Sequence, residues 1–493
     1  MTVELDKDLL AIQQARRFAV ACRLAQRKWA HADAATVRRV CEAVSVAALT
    51  EARRLAEMAH TETGYGVAEH KVVKNEFAAR DVWRSIRDVP TVGVIERDEK
   101  SKMVVMAEPV GVIAALTPST NPTSTAIFKT LIALKGRNGI VISPHPSAAR
   151  CTAEAVEVMA QAAHAAGAPP GLVSCLDGTS FAGTHELMHH HAVNVILATG
   201  GGPMVRAAHS AGKPAFGVGP GNVPAWVDRS ADLPQAARYL VGSKSFDCSL
   251  ICATEQTVVA DAPIAGQLRK HMEDEGAYWV PDAFHEPLAE LLFHPDGSIN
   301  TRSVGRTAGE LAGLIGMKIP ADIRVLVVPL TGVGKEHPFS REKLTSVLGF
   351  AIANDVEDGT DLCVRLLRFG GDGHSAVIHS RDESQAERMA SQLPAYRIIV
   401  NSMSTLGAVG FTCGFAPSMT LATGGIGGAI VGDNITVTHL INRKRVAWEI
   451  RSWSGVAAAP AAGERQPPPN QPDIELIVAR VLKRLGQHPT HQD

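Results

Sequence analysis

The hydrophobic rhythm of the chain changes at about residue 103 and again at about residue 455. Over residues 5–90 alanine, leucine, arginine and glutamate dominate. Segments such as VRRVCEAVSVAALTEARRLAEMAH (37–60) carry apolar residues at helical spacing, so the region is predicted helical. From about 103, short β-rich runs alternate with helical ones. VGVIAAL, TSTAIFKTLIALKG, GIVISP, SAARCTAEAVEVMAQAAHAAG, LVSCL and VNVILAT follow in order. Such alternation implies a parallel sheet with helices on its faces. A second series, with ATEQTVVA, IRVLVVPL and RIIVN as strands, runs from about 225 to 415. Two α/β domains are expected, with no repeat at solenoid period.

The end differs again. Residues 456–472, VAAAPAAGERQPPPNQP, form an alanine- and proline-rich linker that cannot build a core. Beyond it, Ile474, Ile477, Val478, Val481, Leu482 and Leu485 fall on one helical stripe. Asp473 is placed to cap this helix and Gly486 to stop it, giving a predicted helix over 473–486. A helix this short is marginal alone in water, so the stripe needs a partner: its own globule, an oligomer mate or another protein.

Composition narrows the function classes. The 493 residues are 45% hydrophobic and 20% charged, which fits a folded chain of two or three domains. The net charge of −1 provides no basic field for nucleic acid. MTVELDKDLL lacks the basic start and apolar run of a signal peptide, and no run of about 18 apolar residues is present to span a membrane. The eight scattered cysteines suit reduced thiols in a cytosolic protein better than a disulfide framework.

Three stretches carry candidate chemistry. In LTPSTNPTSTAIFK a strand ends in a polar turn and a helix opens among hydroxyl residues. Its free N–H groups suit a developing negative charge, though ordinary capping would give the same pattern. GKPAFGVGPGNVP (212–224) is glycine-rich but lacks the G-x-G-x-x-G spacing with a helix following, so it reads as a tight loop close to a ligand. SFDCSLICATEQTVV (245–259) holds Cys248 and Cys252 four positions apart. No second pair or nearby histidine completes a zinc site, and His189, His190 and His191 read as a surface helix end. No metal site is expected. Taken alone, the cysteine stretch reads first as inert apolar burial.

Context changes that. TPSTNPTSTAIFK, SPHPSA, GKPAFGVGPGNVPA, SFDCSLICATEQTVV, EHPFSREKLTSVL, GDGHSAVIHS and DNITVTHLINRKRVA occur in this order. Together they resemble the CoA-acylating branch of the aldehyde dehydrogenase superfamily, over about residues 5–450. The resemblance implies an α/β fold of two Rossmann-like parallel-sheet domains. N-terminal helices and the cofactor domain would occupy 1–224 and the catalytic domain 225–418. Residues 419–455 would return to the cofactor domain and supply an oligomerisation element. The implied activity is oxidation of a short aldehyde, propanal or acetaldehyde, to its acyl-CoA with NAD and coenzyme A. NADP stays open as the alternative dinucleotide.

The implied nucleophile is Cys252, with Cys248 a bystander. A thiolate there would add to the aldehyde, release hydride from the thiohemiacetal and leave a thioester. Asn121 or, one residue earlier, Thr120 would stabilise the oxyanion with the Cys252 N–H. His374 would position CoA or deprotonate its thiol, or be merely structural. The cofactor set implied is Ser143, His145, Gly200, Gly217, Gly219 and Glu342. Glu342 is placed on a helix and matches the superfamily glutamate that holds the nicotinamide ribose. Gly217 aligns with the glutamate by which hydrolytic relatives activate water, which favours thiol over water attack. Glu255 is open as a replacement base or as local support. The linker and terminal helix resemble peptides that target enzymes into bacterial microcompartments. They imply shell proteins as partners and a cytoplasmic, packaged homo-oligomer. The rivals are a hydrolytic or substituted-aldehyde enzyme, such as one for sulfoacetaldehyde, and a non-catalytic scaffold on the same fold.

Overall fold

The computed structural model describes residues 6–177, 180–453 and 474–485. The linker 456–472, Asp473 and Gly486 lie outside the described residues.

The N-terminal helices form where the periodicity places them. In Ala34–Thr50, Val37, Val40, Cys41, Val44 and Ala48 follow the helical repeat, and all are buried. Asp33 caps that helix by accepting the Thr36 N–H.

The chain then enters β1 (Gly93–Asp98) and β2 (Met103–Pro109). Five strands follow: β3 (Val112–Leu116), β4 (Gly139–Ser143), β5 (Val173–Cys175), β6 (Val195–Thr199) and β7 (Ala215–Val218). They form one parallel sheet in the order β5-β4-β3-β6-β7. The strands β8 (Val223–Val227), β9 (Glu255–Asp261), β10 (Ala277–Trp279), β11 (Val325–Pro329), β12 (Val347–Ala353), β13 (Gly373–His379) and β14 (Ala395–Val400) build a second. Its order is β10-β11-β12-β9-β8-β13-β14, again parallel throughout. β3, β4, β9 and β13 are buried at every position, as strands covered on both faces must be. Two α/β sheets in sequence are what the alternation predicts. The first strand of the second sheet starts at Val223, two residues ahead of the expected boundary at 225.

The final strand, β15 (Ile441–Ala447), joins the three-stranded sheet β1-β2-β15. The β1 and β2 strands were not foreseen; GVIERD has no buried position, MVVMAEP is only partly buried, and they flank the tight turn 99–102. Among the described residues, 98–103, 447–453 and 474–485 group as a unit separate from the rest. Within it the Asp98 side chain accepts the Lys100 and Ser101 N–H groups, and Ile474–Leu485 is helical.

Candidate active site

Cys252 sits between two regular elements. The helix Leu233–Ser245 ends, and a tight turn carries the chain into β9. In that turn Asp247, Cys248 and Ser249 hold φ values of 46°, 51° and 64°. Three successive non-glycine residues in the left-handed region cost roughly 1–2 kcal/mol each, so other interactions must hold them.

Asp247 supplies these. Its buried carboxylate accepts the Val67 N–H at 2.7 Å and the ammonium groups of Lys71, at 3.1 Å, and Lys74. Its own N–H donates to His70 Nδ1 at 2.8 Å, and the His70 ring stacks on Phe246. Burial pushes the Asp247 carboxyl upward. The charges of Lys74 and Lys71 outweigh that and hold it below its ordinary value. Burial also pulls Lys74 down to about 8, against the attraction of Asp247.

Asn121 approaches from the first sheet. It is the N-cap residue of the helix Pro122–Lys135, yet its side chain makes no capping bond. Its Oδ1 accepts from Lys74 Nζ at 2.5 Å, and its Nδ2 donates to the Leu250 carbonyl at 3.0 Å and to Thr120 Oγ1 at 3.1 Å.

His374 comes from β13 and is fully buried. Its Nε2 stands 3.1 Å from Cys252 Sγ and its Nδ1 lies 3.0 Å from Ser375 Oγ. The same hydroxyl accepts Nε–H of Arg397 at 3.3 Å. The other guanidinium nitrogens of Arg397 bond the carbonyls of Gly373, Ala422 and Gly432. Burial first, and the Arg397 charge second, hold His374 well below its ordinary pKa, so its ring is neutral. Cys252 is pushed up to about 12, chiefly by burial and next by Glu342; Arg397 and the N–H groups of Cys252 and Ala253 act in the opposite direction. The resting pair is therefore a thiol beside a neutral imidazole.

Gly221 closes this arrangement. A Cβ there would lie 2.1 Å from the Cys252 carbonyl oxygen and 3.3 Å from His374 Cγ, so only glycine fits. Its N–H donates to Glu342 Oε1 at 3.1 Å. Burial raises Glu342 to about 7, against that N–H and the charges of Lys244 and Lys343. Glu342 lies in the irregular segment before β12 and not on a helix, a correction to the sequence expectation. Lys343, Thr345 and Ser346 are buried there, which a helical reading of REKLTSVL misses.

Cys252, Asn121, Thr120, His145, Gly200, Gly219 and Glu342 line one cavity of about 280 Å³. His374 stands behind Cys252, outside the lining. Ser143 and Gly217, both expected at the cofactor, do not line it. Ser143 turns its hydroxyl onto Thr184. Gly217 faces the helix Gly202–His209, where a Cβ would meet Val205 and His209 at 2.6 Å. Val218, the last residue of β7, and Gly219 beyond it line the cavity instead, so a side chain at position 217 would point away from Cys252. Glu255 is no base for Cys252: fully buried, it accepts from the Ser243 hydroxyl and from the Ser404 N–H at 2.8 Å. Cys248 is buried outside the cavity lining. Lys74, Asp247, Ser375 and Arg397 were missed by sequence reasoning.

A second cavity of about 1150 Å³ adjoins the first, sharing Gly201, Pro220, Ile299, Glu342 and Leu344. It contains Arg341, whose guanidinium lies over the rings of Phe293 and Phe369 and whose Nε–H has no acceptor among the described residues. Among the described residues, no cluster of His, Cys, Asp and Glu is placed to hold a metal, and no helix is long and apolar enough to cross a membrane.

The sequence model of the aldehyde dehydrogenase family matches residues 10–280. The chain belongs to the aldehyde dehydrogenase family. It is 38% identical over 428 residues to the bifunctional aldehyde-alcohol dehydrogenase of Escherichia coli, covering 86% of this chain and 48% of that protein. The chain thus spans about half the length of that curated relative. An acetylating aldehyde dehydrogenase from Geobacillus thermoglucosidasius superposes with a TM-score of 0.90 at 46% identity, covering 92% of this chain and 100% of that one. A propionaldehyde dehydrogenase from Rhodopseudomonas palustris, solved with bound CoA and an acylated cysteine, superposes at 0.81 and 29% identity, covering 89% and 97%. The resemblance to the acylating branch drawn from seven motifs is borne out by these relatives.

Proposed function

We propose that this aldehyde dehydrogenase oxidises a short, uncharged aldehyde to its acyl-CoA through Cys252. The observation that carries the reading is the Cys252–His374 contact at 3.1 Å on a cavity whose single lining carboxylate among the described residues, Glu342, is held by the Gly221 N–H. The thiol adds to the aldehyde carbon, forming a C–S bond, and its proton passes to His374. The resulting oxyanion takes hydrogen bonds from the Cys252 N–H and from Asn121 Nδ2, which exchanges its bond to the Thr120 hydroxyl for one to the substrate. When bound, the nicotinamide accepts the hydride released as the thiohemiacetal becomes a thioester. The CoA thiol then attacks that carbon as the Cys252 C–S bond breaks; the CoA S–H proton returns Cys252 to its thiol, and the proton held by His374 is released to solvent.

Several features fit a nicotinamide nucleotide and CoA. Gly219 has open space where a Cβ would stand, so the backbone can approach a ligand closely. Glu342, at the junction of the two cavities, would hold the nicotinamide ribose. Arg341, Lys335 and His294 on the adjoining cavity would hold phosphates, with the orphan Nε–H of Arg341 one donor. Nothing in this set separates NAD from NADP.

The cavity at Cys252 favours an apolar substrate. Ile251, Val304, Leu344, Val409, Met419 and Leu421 line it, and among the described residues no lysine or arginine does. This supports propanal or acetaldehyde over sulfoacetaldehyde, whose sulfonate would need a cation. A scaffold role does not account for the Cys252–His374 pair. Mass spectrometry of the intact enzyme given propanal and NAD without CoA should show one propanoyl group on Cys252. No adduct would refute the thioester route.

We also propose homo-oligomer assembly through the exposed Ile426, Ile430 and Val446. The terminal helix, with Leu476, Ile477, Val478 and Val481 exposed, would anchor the enzyme to a microcompartment shell. Deleting 472–493 should preserve specific activity and abolish co-purification with shells; loss of the soluble enzyme would oppose this.

A further inference from the structure

The orientation of the Asn121 amide is set by Lys74. The two ends of an asparagine amide are close in shape, but only the nitrogen end donates. Lys74 can only donate. Its contact at 2.5 Å therefore fixes Oδ1 toward the ammonium and turns Nδ2 toward Leu250 and Thr120, on the wall that Cys252 shares. A cation on the amide oxygen also polarises the group and makes its N–H bonds stronger donors. Capping does not explain the geometry, since Asn121 makes no side-chain bond to its own helix.

Lys74 is tied to the nucleophile as well. Its second partner is Asp247, five residues before Cys252, within the left-handed run. Asp247, Lys71 and Lys74 are all nearly inaccessible to solvent. One carboxylate and two ammonium groups thus join the loop carrying Asn121 to the loop carrying Cys252, across 173 residues of sequence between Lys74 and Asp247.

We propose that Lys74 is a positioning residue of the oxyanion site, selecting the amide orientation of Asn121 and registering it to the Cys252 loop. This rests on Asn121 being the oxyanion donor. Lys74→Met leaves the Lys71–Asp247 pair intact, so the buried cluster goes from a net charge of +1 to neutral and the fold is retained.

The test is a double-mutant cycle on kcat with propanal, NAD and CoA, using Lys74→Met, Asn121→Ala and the double variant. Asn121→Ala is expected to lower kcat by about 10²- to 10³-fold. Lys74→Met is expected to lower it roughly 10- to 100-fold with KM for CoA unchanged. The double variant should be no slower than Asn121→Ala alone, because Lys71 and the Val67 N–H still hold Asp247 and the Cys252 loop, leaving the amide as the route by which Lys74 acts. Lys74→Arg, which keeps a donor, should recover most of the Lys74→Met loss. Losses that multiply in the double variant, or a Lys74→Arg as slow as Lys74→Met, would overturn the proposal. A wild-type kcat in Asn121→Ala would instead overturn the assignment of Asn121 itself, and the proposal with it.

Discussion

Replacing Gly221 by alanine perturbs the site without removing any functional group. The new methyl would stand 2.1 Å from the Cys252 carbonyl oxygen, and non-bonded atoms in a packed interior need more than about 3 Å. About 1 Å of movement must therefore be found. The obstructing atom is backbone, so the movement cannot be absorbed by a flexible side-chain end. His374 Cγ at 3.3 Å closes the other direction, and the Gly221 N–H is bound to Glu342. The displacement has to separate Cys252 from His374 or from the Asn121 amide. A misplacement of about 1 Å at reacting groups costs on the order of 10²-fold in rate. Overpacking of this kind costs about 1–3 kcal/mol of stability, which a protein of this size survives. Steady-state kcat/KM with propanal, NAD and CoA, alongside a thermal unfolding curve, reads both. A folded Gly221→Ala enzyme with activity within a few-fold of wild type would refute the close-approach reasoning.

Cys252→Ala should abolish turnover while Cys248→Ala keeps most of it; comparable losses would overturn the choice of nucleophile. Asp247→Asn leaves two buried ammonium groups without their anion and should cost about 3–5 kcal/mol at pH 7, measured by denaturant unfolding. Because the Asp247 carboxyl is held below its ordinary value, its contribution is complete above the unfolded pKa and lost as pH falls through the folded one. The gap between wild type and Asp247→Asn should therefore narrow in acid, and equal stabilities at pH 7 would contradict the account. Glu342 has the opposite sign. Its pKa, raised by burial to about 7, means the unfolded chain holds fewer protons between its ordinary value and pH 7, so stability declines with rising pH across that window. Glu342→Gln should match wild type in unfolding at pH 5 and exceed it at pH 8, while raising KM for the dinucleotide.

The fold was legible where one physical pattern dominated. Val37, Val40, Cys41, Val44 and Ala48 marked a helix face, and GIVISP and VNVILAT marked strands buried on both sides. Glu342 was misplaced because REKLTSVL has a helical composition, while the buried Lys343 and its bond to the Gln256 carbonyl hold it irregular. The direction Gly217 faces, toward Val205 and His209, was not legible because alternate strand positions face opposite ways and alignment alone does not say which way. Lys71 and Lys74 look like a solvated face of AEHKVVKNE; nothing local announces an aspartate so distant in sequence. Arg397 did carry a signal: a lone cation inside AYRIIV, a strand whose neighbours are apolar.

The central claim concerns which nucleophile receives the acyl group from Cys252. NADH formation from propanal, measured with and without CoA and with the product identified, tests it most directly. The account predicts sustained turnover only with CoA, and propanoyl-CoA as product. Sustained turnover without CoA, yielding free propanoate, would contradict it.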